Sequence, residues 1–347
     1  MTGFGELPAL SYTHLAVLTG RHGVFEHALG AEPRREGGYC VDDVARALIV
    51  VTRDEIQSPP LLAFTEIYLR FLEGAIAEDG SAHNRMSAFG GWTDEPGVGD
   101  WWGRLVWSLG HAAATAPSHR IRERCLVAFH RAAAARSDSL RSMAFATLGA
   151  AEVLRAHPAD RLARELALAG VAAIPPPEDP AWPWPEPRLA YSNASIAEAL
   201  IAAGGVLGDR LLEQRGLALL RFLLSVESAP GRLSVTGPAG RGPGETMPQF
   251  DQQPIEITAI ADAAARAYEA TADTYWLDGI RLAWAWFTGE NDSGTAMFDI
   301  DRGAGFDGLE PDGRNENQGA ESTLAGLSTL QQARRHAIVL SSAVPTS

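Results

Sequence analysis

SLRSMAFATLGAAEVL, residues 139–154, opens on polar residues and then runs almost without charge from Met143 to Leu154. Its spacing predicts a helix over 139–156 that is apolar on nearly every side, and so buried on most of them. The same grammar, a polar start leading into an apolar helix, recurs along the chain. It is found at GGYCVDD (37–43), VGDWWGR (98–104), LAYSNAS (189–195), QFDQQPIE (249–256) and NENQGAES (315–322). Most of these motifs end a loop rich in Gly, Pro, Trp or charge.

Working outward, apolar periodicity predicts about twelve helices: 9–19, 42–54, 60–77, 100–116, 118–135, 139–156, 159–173, 193–206, 208–228, 254–271, 273–289 and 319–336. Every second one begins with a polar motif. The helices between carry more charge, as 118–135 does with Arg122, Glu123, Arg124 and Arg131. Alternating inner and outer helices describe an all-α (α/α)6 barrel whose inner helix starts converge on one end. Six such starts offer unpaired N–H groups to a polar ligand. Weak strand signals at Arg232–Val235 and Ala296–Ile300 suggest small β-hairpins in the loops. The Pro-rich stretch Ile174–Pro187 holds Trp182 and Trp184, unlike a solvated linker, so residues 1–347 read as one domain.

Composition narrows the function. The net charge is −14 and the pI about 5.1, which argues against nucleic acid or an anionic membrane surface as partner. An acidic ligand would need a local basic pocket. Two cysteines, Cys40 and Cys125, make neither a disulfide framework nor a zinc site. The first residues lack the basic and apolar regions of a signal peptide, and no apolar run is long enough to span a bilayer, so the expectation is a cytoplasmic protein. No zinc, nucleotide-binding or serine-hydrolase motif stands in a suitable context, and no metal or cofactor is expected.

The polar motifs carry the chemistry. Asp42 and Asp43 open the second helix; Asp42 reads equally well as an N-cap, and Asp43 as a ligand-facing carboxylate. The DDVAR spacing does not match the DDxxD of a magnesium-dependent terpenoid synthase. In QFDQQPIE, Pro254 suits the first helical position, with Asp251 just before it and Glu256 in the first turn. Gln252 and Gln253 suit pairs of hydroxyls. Glu316, Asn317, Gln318 and Glu321 form the densest cluster of hydrogen-bonding groups of the kind that hold sugars. Tyr39, Trp92, Trp101, Trp102, Trp182 and Tyr191 are placed to stack on an apolar sugar face. Arg104 and Arg141, at two helix starts, suit a carboxylate or an anionic substrate group.

Taken together, GYCVDDVARALIV, GRLVWSLG, SLRSMAFATLGAAEVL, WPWPEPRLAYSNASIAEAL, FDQQPIE and GLEPDGRNENQGAESTLA resemble a bacterial family of (α/α)6 six-hairpin, glycosidase-like proteins. Its members are found beside, or named as, glycosyltransferases and mannoside-processing enzymes. The likeness runs from about residue 12 to 332. The chain departs from the family at Val44, where Asn is usual, at Ser192–Asn193, where Asp–Asn is usual, and at Asp100, Trp101 and Trp102. The resemblance implies a carbohydrate-active protein acting on an oligosaccharide or glycoside, with a functional link to a glycosyltransferase. The chemistry expected is glycoside hydrolysis by paired carboxylates, drawn from Asp43 with Asp251 or Glu256. Asn193 joins the substrate-binding group. The alternatives are a non-catalytic glycan-binding module and a sugar epimerase.

Overall fold

The computed structural model describes residues 7–342, which form twelve helices and ten short strands. The chain clusters into two compact units.

The first unit holds residues 16–175 and 202–214. Three helical hairpins build it: α2 (Val41–Arg53) with α3 (Pro59–Ala75), α4 (Asp100–Thr115) with α5 (His119–Ala132), and α6 (Leu140–Ala156) with α7 (Arg161–Ala173). Helices α2, α4 and α6 also pack side by side in a row. Residues Arg141 to Leu154 of α6 are all buried, as its apolar pattern predicts. Each fully buried Leu or Phe here contributes about 1.5–3 kcal/mol from the area it removes from water. The α4 and α6 backbones touch through glycines. A methyl group on Gly103 would lie 2.3 Å from the Ser142 carbonyl oxygen, and one on Gly110 would lie 2.2 Å from that of Gly149. A methyl on Gly149 would lie 2.3 Å from the Val106 carbonyl oxygen.

The second unit holds residues up to 15, 176–201 and 215 onward. Here α10 (Pro254–Thr271) and α11 (Tyr275–Phe287) form a hairpin, and both pack on α12 (Ala320–Ser342). Helix α8 (Asn193–Leu207) gives this unit its first nine residues, and α9 (Arg210–Val226) gives it the part from Arg215 onward. Helix α1 (Thr13–Leu18) is shorter than the 9–19 predicted.

All strands pair antiparallel in two-stranded sheets, four of them local hairpins and one, Tyr39–Cys40 with Arg85–Met86, closing across α2 and α3. The two expected signals become β5 (Ser228–Ala229) with β6 (Arg232–Leu233), and β7 (Phe298–Asp299) with β8 (Ala304–Gly305). Three pairs carried no clear sequence signal: β1 (Ala28–Leu29) with β2 (Glu32–Pro33), β3 (Tyr39–Cys40) with β4 (Arg85–Met86), and β9 (Gly308–Glu310) with β10 (Gly313–Asn315). These strands of two or three residues are too short for alternation to show. Cys40 and Cys125 are both unbridged and buried. Among the described residues, no helix is long and apolar enough to cross a membrane.

Candidate functional site

In the first unit the three polar motifs start α2, α4 and α6, and side chains tie these starts together. Arg104 Nε lies 3.2 Å from Asp42 Oδ1, and its guanidinium sits 4.0 Å above the Phe145 ring. Ser139, which caps α6 by accepting the Ser142 N–H, also donates its hydroxyl to Asp100 at 3.3 Å. Helix α2 begins at Val41, with Cys40 rather than Asp42 at its N-cap. That phase corrects the reading of the acidic pair. Asp43 is buried, accepting from Arg46 Nη1 at 2.6 Å and from the Cys40 thiol at 3.1 Å. Asp42, in contrast, keeps 23% of its side chain exposed.

Glu26, Cys40 and Asp43 bring their ligand atoms within 4.8 Å of one another. Both carboxylates already meet a guanidinium, Glu26 that of Arg85 and Asp43 that of Arg46, so their charge is answered from within the chain. Burial and the neighbouring Asp43 push the Cys40 thiol well above its ordinary range, which keeps it protonated.

The aromatic candidates divide. Tyr39 is buried and stacks on Phe25 at 4.5 Å. Trp92 is half-buried, stacked on His83 at 5.1 Å. Trp101 is half-buried and donates its indole N–H to the Ala82 carbonyl. Trp102 has no exposed surface, and its N–H meets the carbonyls of Gly80 and Ala132. That is a core position, with no face free for stacking. Arg141 is buried at the start of α6.

In the second unit the other three motifs start α8, α10 and α12. Gln253 is the N-cap of α10 and Pro254 its first residue, as expected. Glu256 is buried in the first turn and accepts from the backbone N–H groups of Ser192 and Asn193 and from Asn193 Nδ2. Its carboxylate thus serves as the cap of α8, a different task from that of a proton donor. Gln252 is also fully engaged. Its amide donates to Asp292 at 2.7 Å and to the Gln249 carbonyl, and its oxygen accepts the Trp286 indole N–H at 3.1 Å. Asp292, which the sequence did not single out, is the hub here, accepting also from Arg232 and Ser234.

Asp251 stands apart. Gln253 donates to its Oδ2 at 2.9 Å, while its Oδ1 is buried without a hydrogen-bond partner. Burial first, then the charges of Glu310 and Asp307, raise its pKa above its ordinary value, against the Gln253 hydrogen bond. The carboxylate lies so close to Gly308 that a methyl group there would fall 2.0 Å from Oδ1. Asp307 in turn accepts from the Gly319 N–H and the Ser322 hydroxyl, each at 2.8 Å, and so fixes the start of α12. The structure thus joins Asp251, Gln253, Asp307 and the α12 start.

The remaining candidates surround this group unevenly. Glu316 is exposed and held by Arg314, whose guanidinium covers the Phe306 ring. Gln318 is buried, and its backbone carbonyl accepts from His14 Nε2 at 2.8 Å. Burial lowers the His14 pKa, leaving the ring neutral near pH 7. Asn317 is half-buried with its carbonyl on the Asp307 N–H, and Glu321 is half-buried in the first turn of α12. Trp182 is 8% exposed and packs edge-on to Phe222, whereas Tyr191 is 45% exposed.

Comparison with known proteins adds a frame. No protein-family model matches the chain, and no curated protein does. Solved structures do match. The cellobiose 2-epimerase of Bacillus thermoamylovorans is similar with a TM-score of 0.71 at 12% identity, over 94% of this chain and 96% of that one. A sugar epimerase from a ruminal bacterium gives 0.68 at 12%, over 93% and 95%. The GH76 α-mannanase of Bacteroides thetaiotaomicron gives 0.65 at 12%, over 94% and 95%. At such identities the likeness speaks to architecture: the chain has the all-α (α/α)6 barrel fold, with about twelve helices and small β-hairpins in its loops.

Proposed function

We propose that the chain is a carbohydrate-active enzyme that hydrolyses glycosidic bonds, with Asp251 as the proton donor. One observation carries this reading: a half-buried carboxyl with a raised pKa, one oxygen held by Gln253 and the other without a partner. A general acid works in its protonated form, and a raised pKa favours that form. Asp251 gives its proton to the glycosidic oxygen as the C1–O bond breaks, and the bonding pair stays on that oxygen. A second carboxylate then stabilises or activates the attack on C1. Asp307 and Glu310, whose charges Asp251 feels, are the nearest in chemistry to that role. Tyr191 offers an open ring for stacking, and Gln253, Asn317 and Glu321 offer groups for hydroxyls. The names of the similar structures, sugar epimerases and a mannanase, support a saccharide substrate.

Turnover on a panel of manno- and gluco-oligosaccharides tests the reading. Release of reducing ends by the wild type, lost in Asp251→Asn, is the expected result. Binding without turnover on every sugar would favour the alternative, a glycan-binding partner of a glycosyltransferase. An epimerase has His14 in its favour, a neutral imidazole in the unit that holds Asp251. Its Nε2 already meets the Gln318 carbonyl, so this reading ranks lower. Deuterium entering the sugar ring from D2O, with no bond cleaved, would reverse the order.

A further inference from the structure

Within the first unit, Gly20, Arg21, Phe25, Arg35, Glu36, Tyr39 and residues 87–89 line a cavity of about 610 Å³. That volume falls inside the range of small-molecule sites, about 300–1,000 Å³. Its wall is aromatic: Phe25 and Tyr39 stack with an interplanar angle of 21°. Phe89 joins the lining while 97% exposed, carried on a turn closed by the Gly90 N–H on the Ser87 carbonyl. An exposed ring beside an aromatic wall forms an apolar surface that a ligand can cover.

The rim has the opposite character. Arg21 and Arg35 both line the cavity and both are exposed. Arg35 lies 5.2 Å from the centre of the Phe25 ring. Among the described residues neither guanidinium has an acidic partner. This is out of pattern for the neighbourhood, where Arg34 meets Glu36, Arg46 meets Asp43, Arg85 meets Glu26 and Arg104 meets Asp42. Glu36 also lines the cavity, but Arg34 answers its charge, so in a chain with a net charge of −14 the two remaining arginines form a local basic site. Guanidinium groups bind carboxylate and phosphate through paired N–H donors, and aromatic rings stack on the apolar faces of sugars.

We propose that this cavity binds an anionic saccharide, its ring against the exposed Phe89 and its carboxylate or phosphate between Arg21 and Arg35. The word saccharide rests on the proposed function; the anion rests on the two arginines.

Calorimetry at low salt tests it, with glucuronate, glucose 6-phosphate, glucose and inorganic phosphate as probes. At least one anionic sugar should bind, about tenfold or more tighter than glucose and than phosphate alone. The preferred probe tells a carboxylate from a phosphate ligand. Arg21→Gln and Arg35→Gln should each weaken it about tenfold, and added salt should weaken it further. Phe89→Ala should weaken it as well. All three side chains are exposed, so these variants should fold with unchanged melting temperature. Equal binding of glucose, equal binding of phosphate alone, or no binding of either anionic sugar would overturn the inference. Hydrolysis of neutral glycosides without anion binding would sink this inference and leave the proposed function standing. Anion binding that depends on the arginines, with no turnover on any glycoside, would do the reverse.

Discussion

Asp251 owes its character to a surface too small to solvate it. Glycine at 308 lets the carboxyl press against the backbone, and the charges of Asp307 and Glu310 add to the effect of burial. Three outcomes follow at this scale. Asp251→Asn keeps the shape and removes the proton, so turnover should fall roughly a hundredfold or more while sugar binding persists; calorimetry beside rate measurement separates the two. Because Asp251 works protonated and its pKa is raised, kcat/KM should fall as pH rises through that value, on a limb above the range of an ordinary aspartate. The stability sign is the opposite of a salt-bridged acid. A carboxyl whose pKa is raised on folding is destabilising once ionised, and harmless below its unfolded value. Asp251→Asn should therefore raise the melting temperature at pH 7, with the gain vanishing as pH falls through the ordinary aspartate range. A loss of stability at pH 7 would contradict the burial argument. Gly308→Ala must push the carboxyl aside, and should reduce turnover while Asp251 remains present; an unaffected rate would separate catalysis from this contact.

At the scale of elements, the polar helix starts brace one another. Glu256 joins α10 to α8 by holding the Ser192 and Asn193 N–H groups. Glu256→Gln turns an amide toward those donors and removes the charge that strengthens the bonds. It should destabilise the fold by about 2–3 kcal/mol, read by denaturant titration. A change within about 0.5 kcal/mol would show the cap to be dispensable. The helices themselves were legible, because a 3.6-residue rhythm survives in sequence without knowledge of neighbours. The cap of α2 was not: starting the helix at Val41 rather than one residue later turns Asp43 inward and leaves Asp42 more open. Trp102 shows the same limit, since a tryptophan beside loop glycines looks identical whether its face is open or covered. Asp292 and the tie from Asp307 to α12 escaped notice because each acts on partners brought near by folding. Asp292 meets Gln252 forty residues away, and Asp307 meets Gly319 across the β9–β10 hairpin. By contrast, Asp251, Gln253 and Pro254 could be read together, since their relation is fixed over four residues of chain.

For the molecule as a whole, we propose that residues 1–347 unfold as one cooperative domain. A single calorimetric transition, with calorimetric and van't Hoff enthalpies equal, is the expected trace. Two separable transitions would assign the units independent stability. The acidic balance bears on partners at this scale too. A charge of −14 repels polyanions over about 10 Å at ordinary salt, so an anionic ligand should reach the arginine-rimmed cavity faster as salt screens the rest of the surface, even as its final grip loosens. Stopped-flow association rates across a salt series would show that split, and a rate that falls with salt would contradict it.

The glycine contacts between α4 and α6 bear on descent. Gly103, Gly110 and Gly149 leave no room for even one methyl between the two backbones. Lineages that keep this pairing are barred from every other amino acid at those three places, however far the remaining sequence drifts. The spacing of two glycines seven apart, followed by a third in the next polar-headed helix, is thus a heritable mark. A saturation library should show the same three columns empty of all but glycine.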